Sequence, residues 1–246
     1  MTDLQNNDTR WKSIYSMGAI AAIIVLIGTF SDIIIGSILG GNLTALPQNA
    51  IERFIQFNRN PLLGLYNLDM LNVCTNIIMI PVFFAIFAAH RRVNILWAGF
   101  AMIVYIIGNT IFITNNAALP MYDLALKYSA APDEVQRTLL AAAGEALLAK
   151  GAHGSFGVFW GFLFPVIANI IISVVMLTGK VFSKVNSYIG IFGSLFLLVY
   201  LILVTFVPGT QSIALIIAMP GGLLSLAWMI MVTIKLFQLS KNEFAK

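Results

Sequence analysis

Apolar residues run in long, nearly uninterrupted blocks along the chain, separated by short polar or basic turns and, in two places, by longer segments of mixed character. A hydrocarbon core about 30 Å thick is crossed by about 20 apolar residues in a helix. Six blocks meet that length and predict helices over about Ser13–Gly40, Pro61–Ala89, Asn94–Leu119, Ser155–Gly179, Val185–Val207 and Gln211–Gln238. The expected fold class is all-α: six transmembrane helices in one bundle, forming a single membrane domain over residues 1–246. The polar start Met1–Lys12 leads into an apolar stretch too long for the core of a signal peptide, so the first helix is expected to stay in the protein.

The two longer segments, residues 41–60 and 120–154, carry a helical rhythm of their own. In the first, Ala50, Ile51, Phe54, Ile55 and Phe57 alternate with Glu52, Arg53, Gln56 and Asn58, as in a short amphipathic helix at an interface. In the second, Pro132 opens a helix whose apolar stripe is Val135, Leu139, Ala142, Ala143, Ala146 and Leu147, beside a more polar face of Glu134, Thr138, Ala141 and Glu145. Both readings, a lid over the bundle and a passive interfacial collar, fit that pattern.

Composition sharpens the class: 59% of residues are apolar, 10% are charged, and mean hydropathy is +0.91. A soluble chain carries about 25% charged residues. Charge then orients the bundle. Six crossings put both tails, residues 1–12 and 239–246, on one side, together with Arg10, Lys12, Arg91, Arg92, Lys180, Lys184, Lys235, Lys241 and Lys246; Arg53, Arg59, Lys127, Arg137 and Lys150 fall on the other. By the positive-inside rule both termini are cytoplasmic in a multi-pass protein of the plasma membrane, and residues 41–60 and 120–154 are external. These cations edge a membrane rather than forming a continuous basic face, so the lipid bilayer and not nucleic acid is the expected partner. A homo-oligomer is compatible with such a bundle.

Candidate chemistry centres on two carboxylates within apolar blocks. Asp32 lies eight residues before the outer end of the first helix and Asp69 eight residues after the outer start of the second, which puts each about 12 Å below the outer surface, where the two can meet. A charge held there costs about 2.5–3.5 kcal/mol on insertion scales and so has a partner or a task. Gly28, Gly36 and Gly40 share the face of Asp32, a small-residue track that lets another helix approach. On the second helix Leu65, Asp69, Asn72 and Asn76 share one face; on the third Tyr105, Asn109, Phe112 and Asn116 do. In the sixth, Pro220, Gly221 and Gly222 predict a weakened ladder whose carbonyls can coordinate a cation. Asp32, Asp69, Asn72, Asn109, Asn116 and Gly221 are therefore the candidate ligand-binding residues of an outward-facing pocket for a proton, a cation or a cationic solute. Each has a plainer reading: asparagines as interhelical glue, glycines as packing, Pro220–Gly222 as a kink.

Other chemistries find less support. Topology puts His90 and His153 at opposite surfaces, and His153 near the interface suits a solvated or capping role. Asp32, Asp69 and His153 are the one combination left for a metal, and none is expected. Cys74 is alone, and no nucleotide or cofactor fingerprint is present. The leading expectation is a small transporter or binding protein. The rivals are a structural, immunity or assembly partner whose polar residues only specify packing, and an intramembrane hydrolase using the two aspartates.

The run Asn60-Pro61-Leu62-Leu63-Gly64-Leu65-Tyr66 with Asp69 and Asn72, then Ile80-Pro81 and His90-Arg91-Arg92, resembles an uncharacterised family of small prokaryotic polytopic membrane proteins. Gly179-Lys180-Val181-Phe182 with Tyr188-Ile189-Gly190 is similar as well. The resemblance implies a multi-helix membrane fold and brings no substrate or catalytic residue.

Overall fold

The computed structural model describes residues 2–38 and 47–241. It is an all-α polytopic bundle with six helices long and apolar enough to span a membrane. Among the described residues ten helices follow in chain order: α1 Thr2–Ile38, α2 Ala50–Arg59, α3 Pro61–Tyr66, α4 Met70–His90, α5 Ile95–Asn115, α6 Ala118–Ala130, α7 Glu134–Gly151, α8 Phe156–Gly179, α9 Lys184–Phe206 and α10 Gln211–Lys241. Many start where a side chain can satisfy the orphan amides of the first turn. Asn49 accepts from the Glu52 amide, Asn60 from Leu63, Asn94 from Trp97, Asp133 from Gln136 and Ser183 from Asn186.

The six long helices close a ring in the order α1, α4, α5, α8, α9, α10 and back to α1. Small residues permit the close approach, as expected where lipid removes the usual hydrophobic incentive for helices to associate. Ala19 and Ala22 of α1, Ala85 and Ala88 of α4, Ala98 and Ala101 of α5 and Ala168 of α8 are fully buried. Large side chains point the other way: Ile20, Ile23, Ile24, Ile27 and Phe30 of α1 are all exposed, the inside-out arrangement that suits lipid contact. At the end where α1 starts, Arg91 donates to the Tyr15 hydroxyl (2.9 Å) and its guanidinium lies 3.7 Å from the centre of the Trp11 ring, pinning α1 to α4.

The short helices form a cap over the opposite end, with a core of their own. Phe54 and Phe57 of α2 pack with Leu68, with Ala118, Met121 and Ala125 of α6, and with Leu148 of α7. Helix α6 is not among the elements expected from sequence, although its buried positions 118, 121 and 125 keep helical spacing. On α7 the packed face is Gly144, Leu148 and Gly151, while the expected stripe at Val135, Leu139, Ala142 and Ala143 turns outward. Gly144 lies directly on Ala50 and Phe54, where a Cβ would come within 2.6 Å of the Ala50 Cβ. Glu145 next to it accepts from the Ala50 amide at 2.7 Å and so ties α7 to the start of α2. Glu145→Ala should lower stability by about 1 kcal/mol, roughly 2–4 °C in thermal unfolding, with Glu145→Gln losing less. An unchanged alanine variant would remove this tether from the account.

Three expected features differ in detail. The second crossing does not run unbroken from Pro61: α3 ends at Asn67, Asp69 adopts a left-handed backbone (φ 64°, ψ 21°), and α4 starts afresh at Met70. Asp69 therefore lies in a turn between cap and bundle. The third ends early, because Asn116 is extended and its carboxamide bridges two neighbours: it donates to the Leu68 carbonyl (2.8 Å) and accepts from the Ala118 amide (3.0 Å). The sixth is not broken, since α10 continues through Pro220–Gly222 and Gly221 lies against Gly193 and Phe196 of α9. A single proline removes one ladder bond, and neighbouring helices hold the rest in place. Gly40 and the first part of the 41–60 segment, residues 41–46, lie outside the described residues.

Candidate functional site

The turn at Asp69 is where cap and bundle meet, and it carries the most connected set of ionisable groups among the described residues. Asp69 Oδ1 accepts from Asn72 Nδ2 (2.9 Å), and its other oxygen meets His153 Nδ1 (3.1 Å). The far nitrogen of His153 meets the Tyr200 hydroxyl at 2.7 Å. A neutral ring that donates to Asp69 accepts from Tyr200, and a protonated ring donates to both; the same geometry serves either state. A left-handed backbone at a residue other than glycine costs about 1–2 kcal/mol, and aspartate is among the few that tolerate it.

His153 owes its position to the turn between α7 and α8. Gly154 has φ +80°, a conformation glycine adopts freely. Gly151 sits against the Asn115 carbonyl and Ala117, and Gly157 against the Lys150 carbonyl, so both ends of the turn admit only a hydrogen at Cα. Asn115 donates to the Gly157 carbonyl (2.6 Å), joining this corner to the α5–α6 corner. The imidazole rests edge-on against Phe162, with ring centres 5.3 Å apart.

Below Asp69 the polar line continues into the ring. Asn76 donates to the Asn72 carbonyl (2.9 Å), while Asn109 (2.7 Å) and Tyr105 (3.2 Å) donate to the Asn76 carbonyl. Of the six candidate residues, Asp69 and Asn72 touch, Asn109 joins them through Asn76, and Asn116 buttresses the turn through Leu68. Asp32 lies on α1, where the charge of Asp69 also reaches Tyr66 and the Tyr66 hydroxyl donates to the Asp32 carbonyl (3.2 Å) beside the Asp32 carboxylate. Burial and that carboxylate push the Tyr66 phenol up to about 12, so it remains a donor. Gly221 belongs to the α9–α10 contact.

Three spaces adjoin this chain of groups. A cavity of about 660 Å³ lies at the cap, bordered by Arg53, Asn67, His153, Tyr200, Gln211 and Ser212. A second of about 230 Å³ shares His153, Tyr200 and Val204 with it and continues between α8 and α9 among Val158, Phe162, Val166 and Leu197. A third of about 280 Å³ shares Val166 and Leu197 with the second and is lined by all six long helices, from Val25 of α1 to Trp228 of α10. Asn169 Oδ1 and Trp228 Nε1, on residues bordering that inner space, have no protein partner.

Arg53, His153 and Tyr200 enter the site without having been singled out from sequence as ligand-binding residues. The sequence carries a signal for Arg53, since it interrupts the spacing of Ala50, Phe54 and Phe57, the buried face of α2. It is 7% exposed, and its Nε has no partner. Burial lowers the Arg53 guanidinium from its ordinary value, and the charges of Asp69 and Glu52 oppose that shift. Among the described residues no three histidine, cysteine or acidic side chains converge as metal ligands.

Fold and site together define a six-helix membrane protein with a helical cap and a polar cavity between the two. Comparison with known protein families, characterised proteins and solved structures finds no match.

Proposed function

We propose that this protein is a small membrane transporter or binding protein that admits a solute at the cap end, with Asp69, His153 and Tyr200 as its proton-responsive element. The observation that carries the reading is the succession of three spaces with shared walls, from the cap cavity to one lined by every long helix. A protein whose polar residues serve packing alone would fill that volume, because interiors are close-packed and each void forfeits contacts. A proton is the cation that suits the Asp69 carboxylate, which already has His153 and Asn72 as neighbours; the imidazole can take up or release that proton while both of its contacts persist. The distribution of basic residues would place the cap outside the plasma membrane and the termini in the cytoplasm.

Accessibility tests this reading. In a Cys74→Ser background, Ser225→Cys places a thiol on the inner space. A small hydrophilic thiol reagent added to sealed vesicles should label it from the cap side, at a rate that His153→Gln changes. Complete protection under native conditions, with labelling only after unfolding, would leave the packing role in its place.

A further inference from the structure

We infer that the cap cavity and the apolar space beneath it together form one binding site for an anionic amphiphile, a molecule with an oxyanion head and an alkyl tail. This rests on reading the cap cavity as a solute site, and not on passage to the bundle centre. Arg53 supplies the first argument. A guanidinium this buried is normally paired. Among the described residues its side chain makes one weak hydrogen bond, to Gln56 Oε1 at 3.4 Å, and neither Asp69 nor Glu52 closes to ion-pair distance. Asp69 is instead engaged by His153. An oxyanion in the cavity would complete the Arg53 coordination, and the planar fork of arginine matches a carboxylate or phosphate edge.

The second argument is the change of character across the shared wall. The cap cavity has a mixed wall, Asn67, Gln211 and Ser212 standing beside Leu68, Leu148 and Leu215, whereas past His153 and Tyr200 the lining becomes almost wholly apolar, with Val158, Phe162, Val166, Leu197 and Leu201. A wholly polar solute would leave those walls dry and unfilled. A single alkyl chain fills them, while its head stays with Arg53 and, when a protonated His153 donates to Tyr200, with the freed Tyr200 hydroxyl proton. Charge favours an acid head over an amine, since Arg53 is the cation on the cavity wall with no carboxylate at ion-pair distance among the described residues, the charge of a protonated His153 being matched by Asp69.

Thermal unfolding of the full chain in a neutral detergent provides the test, with octanoate, octyl phosphate, octanol and octylamine sharing one tail and acetate and inorganic phosphate supplying the head alone. The two acids with tails should raise the melting temperature by several degrees at concentrations where octanol and octylamine do not. Arg53→Gln should weaken that effect at least tenfold. Val166→Phe, which fills the tail space away from the head, should weaken octanoate and leave Arg53 in place. A stronger effect of octanoate assigns a free carboxylic acid and a stronger effect of octyl phosphate a lipid-type phosphate head; either supports the site. Equal responses to octanol and octanoate, or to phosphate and octyl phosphate, would overturn it, as would Val166→Phe binding octanoate like the parent. Labelling of Ser225→Cys without any octanoate response would remove this inference alone, and octanoate binding without labelling would remove the transport reading alone.

Discussion

Gly161→Leu should abolish the stable bundle, giving a loss of about 3 kcal/mol or more, roughly 6–12 °C in thermal unfolding, or no recoverable folded protein. The residue lies where α8 crosses α5, and a Cβ there would stand 2.8 Å from the backbone nitrogen and Cα of Phe112. Carbon atoms settle at about 3.5–4.0 Å, so the two helices would have to part by about 1 Å along their contact. No rotamer change offers relief, because the obstacle is backbone. Gly108 makes the reciprocal approach from α5, against Phe164 and Pro165, so parting the helices at one crossing loosens the other. Gly222→Leu is the matched control. Nothing lies within 4 Å of a Cβ at that position, and stability should be unchanged or slightly higher. A Gly161→Leu protein that melts with the parent would mean that α5 and α8 do not meet in this way.

The second large effect belongs to the Asp69 turn. Asp69→Asn keeps a side chain that tolerates the left-handed backbone and removes the charge facing His153, whereas His153→Gln removes the other partner. A double-mutant cycle between the two should give a coupling of about 1–2 kcal/mol, at the lower part of the range for charged hydrogen bonds. The discount follows from exposure: the Asp69 side chain is 16% exposed, but that of His153 is 45% exposed, toward the cavity. Asp69→Gly separates conformation from contact, since it relieves the backbone yet loses the ion pair, and it should melt between the parent and Asp69→Ala. Additive effects of Asp69→Asn and His153→Gln would mean that the two residues hold their positions independently. The chain of groups proposed to respond to protons would then have no physical basis.

These two regions also show what can and cannot be read from a string of residues. The α5–α8 crossing is half legible: glycines at 108 and 161 within apolar runs mark close approach, but which helix approaches is a matter of ring order. The Asp69 turn is less legible. A count of residues down a continuous second helix places Asp69 beside Asp32; the chain instead turns at Asn67–Asp69 and the Asp69 carboxylate engages His153, while the charges of both aspartates still reach Tyr66. The bond from Asn116 to the Leu68 carbonyl helps hold the turn, across 48 residues of sequence. Local propensity does not contain such a contact. His153 lies 84 residues from Asp69 and Tyr200 a further 47 from His153, so their meeting depends on α8 and α9 being neighbours beneath the cap.

Sequence by itself determined the membrane class, the number of membrane-length helices, most helix starts and the buried face of α2 at Ala50, Phe54 and Phe57. Each of these follows from local physics, the length of an apolar run against the bilayer and the capping of orphan amides by asparagine, aspartate and serine. Tertiary structure decided the rest: that the outer segments pack around a core of their own, that Asp69 engages His153 rather than Asp32, that Pro220–Gly222 stays helical, and that Arg53 ends buried beside a cavity. Those outcomes depend on contacts between distant segments, whose free energy is fixed only once the ring of helices has closed.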